Sequence, residues 1–229
     1  MRADRSRLMR FTHTIPDPET IIAGKEGYHF LEAGALLDRL HHSDYRSAQF
    51  NPSDRGNARF SPIRNSVGEI IPTIYVAQSF ECAVCEIILR CPDTPSLPSA
   101  GIVEIVQPND YANYRHSRVE LTAELKLLDL TTGGQRRIGV NDNVLLAGPR
   151  STYPSTRAWA EKIHATFPDV QGLYYLSYQY GPHFAAVLFG DRIADGVLRE
   201  RDSRAVSENP CHDEIVALAG KLSIEYANV

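Results

Sequence analysis

The chain has 229 residues, of which 43% are hydrophobic and 23% charged, a composition typical of one folded domain rather than of a disordered or fibrous protein. Its 24 basic and 28 acidic residues give a formal net charge of −4, which argues against a general nucleic-acid coat protein. No stretch reaches the roughly 18–20 apolar residues of a membrane helix, and the N-terminus lacks the apolar core of a secretory signal. We therefore expect a cytoplasmic protein without membrane contact.

The first half of the chain predicts one strand with a helix before it and a helix after it. Residues 31–42 have apolar spacing compatible with a short helix, and a polar stretch rich in arginine, asparagine and proline follows them. Residues 71–77, IPTIYVA, are typical of a strand. Ser79 is a predicted N-cap for a helix over 80–89, and the apolar stripe of that helix leaves Glu86 at its flank.

The second half predicts more strands than helices. The predicted strands are 101–106, 125–130, 173–178 and 184–190, and the predicted helices are 156–165 and 213–222. Because strands and helices alternate irregularly, the pattern favours a single α+β domain over a doubly wound sheet. Neither G-x-G-x-x-G nor G-x-x-x-x-G-K-[ST] occurs, so side chains would have to hold any nucleotide.

The cysteines do not indicate a metal or disulfide framework. Cys82-Ala-Val-Cys85 has the spacing of a C-x-x-C motif, but no second pair is present to complete a zinc site. Cys91 and Cys211 complete the set of four. We expect Cys82 and Cys85 to be small, reduced residues that pack a helix, with a redox or metal role as the alternative.

Arginines gather in one polar segment of this acidic protein. Four arginines and one aspartate lie between Arg46 and Arg64, which gives the segment a local charge of +3. Guanidinium groups on a loop can bind phosphate through two hydrogen bonds, so the segment, with Arg59 near its middle, predicts a phosphate-binding loop. The alternative is a solvated loop with surface ion pairs. Tyr153 and Arg157, at the start of the 156–165 helix, are further candidates to line a pocket.

Three segments, GNARFSPIR, IPTIYVAQSFECAVCEIIL and GLYYLSYQYG, together resemble the RES domain family of bacterial toxins. The resemblance rests on Tyr75 at a strand end, Glu86 eleven residues later and Ser177 in a G-L-x-Y-x-S strand, and it spans about 44–192. It implies a mixed, mostly antiparallel sheet similar to that of ADP-ribosyltransferase toxins. With 44–192 as the catalytic core, we expect 1–43 to form an N-terminal lead-in and helix, and 193–229 to form a C-terminal extension packed on the core.

The resemblance also implies an activity and a set of roles. Members degrade NAD⁺ by cleaving the nicotinamide–ribose bond, with water or phosphate as acceptor, so NAD⁺ is a substrate and no cofactor or metal is needed. Glu86 would stabilise the oxocarbenium-like ribose, and Tyr75 would stack on the nicotinamide ring. Arg46, taken as the family's first arginine, and Arg59 would bind the phosphates, and Ser177 would bind the nicotinamide amide or the ribose.

The partner implied by the resemblance is an antitoxin with a helix-turn-helix part. The acidic charge of this chain assigns DNA contact to that partner and not to the toxin itself. Two other functions remain open at this point: ADP-ribosyl transfer to a macromolecule, and a non-catalytic binding module of the same fold. The sequence also leaves homo-oligomerisation open.

Overall fold

A computed structural model of the protein describes residues 14–90 and 105–227. The strands in these residues are β1 (Tyr28–Leu31), β2 (Leu36–His42), β3 (Ile63–Arg64), β4 (Ile70–Ile71), β5 (Thr73–Ala77), β6 (Ile105–Val106), β7 (Tyr114–Leu121), β8 (Leu125–Asp129), β9 (Gly172–Leu176), β10 (Phe184–Phe189), β11 (Leu198–Ala205) and β12 (Glu225–Tyr226). The α-helices are α1 (Phe80–Ile87), α2 (Thr132–Arg137), α3 (Val144–Ala147), α4 (Tyr153–Thr166) and α5 (Cys211–Lys221).

Eight of these strands form one sheet in the order β1-β8-β9-β10-β5-β2-β7-β11. Every neighbouring pair is antiparallel except β8 and β9, which are parallel. A parallel pair needs a long crossover, and α2, α3 and α4 lie in the chain between these two strands. The α+β class and the mostly antiparallel sheet predicted from the sequence are confirmed.

The helix predicted over 31–42 is wrong, because this segment supplies the end of β1 and the whole of β2. β2 pairs with β5 on one side and β7 on the other, and its residues 37–41 are buried. A strand that is buried on both faces lacks the simple apolar–polar alternation, and a short run of this kind resembles a helix in sequence. Its buried polar residues, Asp38, Arg39 and His41, are held by tertiary hydrogen bonds.

The remaining predicted elements agree with the structure where it describes them. The strands predicted at 71–77, 125–130, 173–178 and 184–190 and the helices predicted at 80–89, 156–165 and 213–222 are all present with shifts of a few residues. Ser79 caps α1 by accepting a hydrogen bond from Cys82 N. Of the strand predicted at 101–106, only Ile105 and Val106 lie in the described residues.

The segments predicted to flank the core contribute strands to the same sheet. β1 and β2 come from residues 1–43, and β11, from residues 193–229, forms the edge beside β7. The sequence did not predict β7 or β11, because polar and charged side chains such as Arg115, Ser117 and Arg204 occupy these strands.

Two apolar clusters pack on the sheet. The larger cluster includes α1, α4 and α5 residues such as Val84, Trp159 and Ile215, and the second includes Leu37, Val119 and Leu188 from the sheet itself. Trp159 is fully buried, and its ring N–H donates to the Pro16 carbonyl. In the part of the chain that is described, no helix is long and apolar enough to cross a membrane.

β2 and β5 separate soon after they meet. Asp38 and Ala77 are the one pair of partners in the register between these strands, whereas β2 pairs with β7 over seven residues. The sheet therefore opens at its centre, between strands that are held in place by their other neighbours. This opening is where the candidate site lies.

Candidate active site

A cavity of about 360 Å³ lies in the opening between β2 and β5. Its walls are formed by both strands, by the loop of residues 55–61, by α1 and by the residues that follow β9. The charged residues that line it are Asp38, Arg39, Arg55, Arg59, Glu86 and Arg90. Four arginines and two carboxylates give this cavity a cationic lining in an acidic protein, which favours an anionic ligand.

Glu86 lies on α1 and faces the cavity. Its Oε1 accepts a hydrogen bond of 2.5 Å from the Ser177 hydroxyl. Burial raises the pKa of Glu86, and the Ser177 hydrogen bond and the charges of Arg59 and Arg90 oppose that rise. A partly buried carboxylate of this kind, held by hydrogen bonds from the Ser177 hydroxyl and the Gln179 backbone near two cations, is suited to stabilise a developing positive charge.

Ser177 connects Glu86 to the loop after β9. It is 5% exposed, and its Oγ accepts hydrogen bonds from Gln179 N at 3.2 Å and Tyr180 N at 2.9 Å while donating to Glu86. Because the serine hydroxyl has one hydrogen, these partners fix the direction in which it donates. In this geometry Ser177 orients the carboxylate and does not line the cavity directly.

Arg59 is held in the cavity wall by neutral groups. Its Nη1 donates to the carbonyls of Gly148 at 3.0 Å and Leu145 at 3.3 Å. Its Cζ lies 4.9 Å from the centre of the Tyr153 ring, a cation–π contact. A guanidinium has five N–H donors, so these contacts orient the group and leave donors available for a ligand.

Tyr75, on β5, lines the cavity, and its hydroxyl contacts the loop of residues 55–61. The hydroxyl oxygen accepts a 2.9 Å hydrogen bond from Phe60 N. Burial raises the pKa of Tyr75 to about 12, so the phenol is neutral at physiological pH. Tyr75 therefore contacts the arginine-bearing loop as well as the cavity, a connection that the sequence did not reveal.

Arg46 lies outside the cavity. Its side chain is exposed, and it is absent from the residues that line the cavity. Its backbone N–H donates to Gln49 Oε1 at 3.1 Å, which makes it part of a turn after β2. The structure brings Glu86, Arg59 and Tyr75 together around the cavity, with Ser177 behind Glu86, but it does not bring Arg46 to them.

Arg39, which the sequence analysis missed, occupies the cavity wall on β2. Its side chain is 9% exposed, and its Nη1 donates to the carbonyls of Ser47 at 2.7 Å and Gln49 at 3.4 Å. Its buried Nε has no hydrogen-bond partner among the described residues. Burial lowers the pKa of Arg39 to about 10, so the group stays charged at neutral pH. A buried donor without a partner, on a cationic group, is suited to an anion.

The signal for Arg39 was present in the sequence. An arginine inside the mostly apolar run LLDRL is costly to bury unless it is paired or binds a ligand. This signal was overlooked because residues 31–42 were predicted as a helix. On an amphipathic helix, an arginine is ordinarily placed on the solvated face.

His41, also on β2, lines the same cavity as a neutral ring. Burial lowers its pKa to about 4, and the charge of Arg39 contributes in the same direction. Its Nδ1 is 3.0 Å from the His42 carbonyl, so this nitrogen carries the proton, and Nε2 accepts from Ser117 Oγ at 2.8 Å. With both ring nitrogens in use, His41 shapes the wall and adds no charge at neutral pH.

Cys82, Cys85 and Cys211, the described cysteines, do not line this cavity. Cys82 and Cys85 are 0% and 1% exposed and not disulfide-bonded, and burial raises the pKa of both thiols to about 12. Neither forms a thiolate at neutral pH, which agrees with their predicted packing role. Cys91 lies outside the described residues. In residues 14–90 and 105–227, no cluster of potential metal ligands occurs.

Comparison with known families assigns most of this chain to one of them. The family model described as RES domain matches residues 36–209, from β2 to the residues before α5. The chain therefore belongs to the RES domain family. A search of curated proteins finds no match.

The fold is also found in a solved structure. It is described as the crystal structure of the M. tuberculosis MbcT–MbcA toxin–antitoxin complex, and the matched chain is 18% identical in sequence to this one. The match covers 82% of this chain and 92% of the other, with a TM-score of 0.56. At this identity the likeness concerns the fold.

Proposed function

We propose that this protein is the toxin of a toxin–antitoxin pair and degrades NAD⁺ by cleaving the nicotinamide–ribose bond. The observation that carries the proposal is the Glu86 carboxylate, hydrogen-bonded to Ser177, in a cavity lined by arginines. Family membership and the likeness to a toxin–antitoxin complex support the toxin assignment. The cytoplasm, where NAD⁺ is available to such an enzyme, is the proposed compartment.

The cavity offers groups for the pyrophosphate, the nicotinamide ring and the reacting ribose of NAD⁺. The pyrophosphate carries two negative charges, for which Arg39 and Arg59 supply donors; among the described residues, the hydrogen bonds of these two arginines go to backbone carbonyls. The nicotinamide ring is cationic before cleavage and is attracted to an aromatic face, which Tyr75 provides in the cavity wall. In this proposed pose, the ribose that carries the nicotinamide lies beside Glu86.

The bond cleavage itself follows from this arrangement. The C–N glycosidic bond breaks with its electron pair going to the nicotinamide nitrogen, so nicotinamide leaves as a neutral molecule. The ribose carbon gains oxocarbenium character, which the Glu86 carboxylate stabilises. An oxygen of water or of phosphate then bonds to that carbon, which yields ADP-ribose with release of a proton, or ADP-ribose 1″-phosphate.

The proposed partner is an antitoxin that blocks the cavity. An enzyme that drains free NAD⁺ harms its own cell, so its activity requires restraint by another protein. We expect the antitoxin to carry the helix-turn-helix DNA-binding part and to place an acidic segment against the arginines of the cavity. Co-purification followed by an NAD⁺ assay tests this, and full activity in a stoichiometric complex would exclude a blocked cavity.

The decisive experiment identifies the products. Purified protein is incubated with NAD⁺ in buffers with and without phosphate, and the products are separated and their masses measured. Free nicotinamide with ADP-ribose identifies hydrolysis, and a phosphate-dependent ADP-ribose phosphate identifies phosphorolysis. Label from NAD⁺ that becomes bound to a macromolecule would instead identify ADP-ribosyl transfer, and no consumption of NAD⁺ would overturn the proposal.

A further inference from the structure

The first turns of α4 lie against the cavity loop of residues 55–61, here called the arginine loop. The Thr156 hydroxyl donates to the carbonyl of Arg59. One residue further, Arg157 Nη1 donates to Asn57 Oδ1 at 2.8 Å and to the Ala58 carbonyl at 3.3 Å. α4 therefore holds the main chain of the arginine loop at consecutive residues.

The contact from Thr156 is a buried one. Thr156 is 0% exposed, and its hydroxyl also lies 3.1 Å from the Tyr153 carbonyl of its own helix. A threonine within a helix ordinarily donates to such a carbonyl, three or four residues earlier. Because a hydroxyl has one hydrogen, donation to the arginine loop replaces this local bond with a tertiary one.

The same peptide unit is held from its other side by β5. The carbonyl of Arg59 and the N–H of Phe60 belong to one peptide group, and that N–H donates to the Tyr75 hydroxyl at 2.9 Å. Since a peptide group is planar, fixing both of its polar atoms fixes its orientation. The direction in which the Arg59 side chain leaves the main chain is then set by two side chains, from α4 and β5.

From this starting direction, the Arg59 side chain places its guanidinium among groups of α3 and α4 and the residues between them. Its guanidinium lies over the Tyr153 ring and donates to the carbonyls of Leu145 and Gly148. Both Tyr153 and Thr156 come from the first four residues of α4. The helix thus contacts the arginine at its main-chain carbonyl and at its guanidinium.

We propose that Thr156 is a positioning residue for Arg59: its hydroxyl, together with that of Tyr75, fixes the Arg59–Phe60 peptide and so directs the guanidinium into the cavity. The activity test of this inference rests on the proposed function, in which Arg59 binds the pyrophosphate of NAD⁺. The structural test does not depend on it.

The kinetic test is a double-mutant cycle. Thr156→Val keeps the shape and removes the hydroxyl, and Thr156→Ser keeps the hydroxyl. We expect Thr156→Val to lower kcat/KM for NAD⁺ by about 10- to 100-fold, mainly through KM, because small displacements of a substrate-binding group have effects of this size. Thr156→Ser should retain near wild-type kinetics. In an Arg59→Ala background, Thr156→Val should cause no further loss, because it acts through the arginine.

The structural test is hydrogen exchange of the peptide that covers residues 58–61. Thr156→Val should raise exchange at Phe60 N–H, and Thr156→Ser should not. Thr166→Val is the matched control, since Thr166 lies ten residues further along the same helix, about 15 Å away. If Thr156→Val does not fold, Tyr75→Phe removes the other anchor of the same peptide and should raise the same exchange signal.

The outcomes separate the two proposals. Losses from Thr156→Val and Arg59→Ala that add in full, or unchanged exchange at residues 58–61 in a folded variant, would overturn the positioning role. A wild-type protein that leaves NAD⁺ intact would overturn the proposed function alone, and the exchange measurement would still decide how the Arg59–Phe60 peptide is held.

Discussion

Replacement of Glu86 by glutamine tests the centre of the proposed mechanism. Glutamine has nearly the same shape, and its carbonyl oxygen can accept the hydrogen bond that Ser177 donates to Glu86 Oε1. The change removes the negative charge that the proposed mechanism places beside the reacting ribose. Loss of one well-placed electrostatic group lowers kcat by about 10²- to 10³-fold, which corresponds to about 2.7–4 kcal/mol of transition-state stabilisation.

We also expect Glu86→Gln to change the thermal stability of the protein in a definite direction. Burial raises the pKa of Glu86, so the folded protein binds a proton more tightly than the unfolded chain does. This proton binding stabilises the folded protein fully at pH values below the pKa of Glu86 in the unfolded chain, and the stabilisation is lost as pH rises through its pKa in the folded protein. At neutral pH the ionised carboxylate therefore lowers stability, and Glu86→Gln should unfold at the same temperature as the wild type or higher.

The assay is steady-state NAD⁺ consumption, with thermal unfolding measured on the same samples. Glu81→Gln is the matched control, because Glu81 lies on the same helix and does not line the cavity. We expect the control to turn over NAD⁺ at the wild-type rate. Wild-type turnover in a folded Glu86→Gln protein would refute the assignment of Glu86, and equal losses in both variants would show that the helix, and not the charge, matters.

Three further substitutions examine the arginines and the cysteines. Arg39→Ala should raise KM for NAD⁺ by about 10- to 150-fold, because a hydrogen bond to a charged group contributes about 1.5–3 kcal/mol. Arg46→Ala should leave the kinetics unchanged. The reverse result would indicate that Arg46, and not Arg39, binds the substrate. Arg59→Ala should weaken NAD⁺ binding more than Arg59→Lys, since lysine keeps the charge but lacks the planar donor pair, and calorimetry that finds equal, wild-type affinities would contradict a phosphate contact. Joint replacement of Cys82 and Cys85 by alanine should leave turnover unchanged, and a folded but inactive double variant would indicate a redox or metal role.

Residues that form local patterns were predictable from the sequence. Ser79 caps α1 as its position before an apolar helix indicates, and the spacing from Tyr75 to Glu86 places both on consecutive elements that face one cavity. These features depend on propensities and periodicity within about ten residues, where sequence and structure are closely coupled.

Polar contacts between distant strands were not predictable in the same way. His41 on β2 bonds Ser117 on β7, and Ser117 in turn bonds Ser203 on β11, over separations of 76 and 86 residues. Each of these residues alone indicates exposure, because a polar side chain is ordinarily solvated. Only the sheet order shows that they satisfy one another, which is why β7 and β11 were missed and why β2, with Arg39, was predicted as a helix.

The partners of the arginines separate those suited to bind a ligand from those that stabilise the fold. Arg118 and Arg204 form ion pairs with Asp202 and Glu214, so their charges are neutralised within the protein. Among the described residues, the hydrogen-bond partners of Arg39 and Arg59 are instead backbone carbonyls. A carbonyl orients a guanidinium without forming an ion pair with it, so Arg39 and Arg59 present oriented positive charges at the cavity wall. A ligand with two adjacent negative charges, such as a pyrophosphate, is complementary to them in sign.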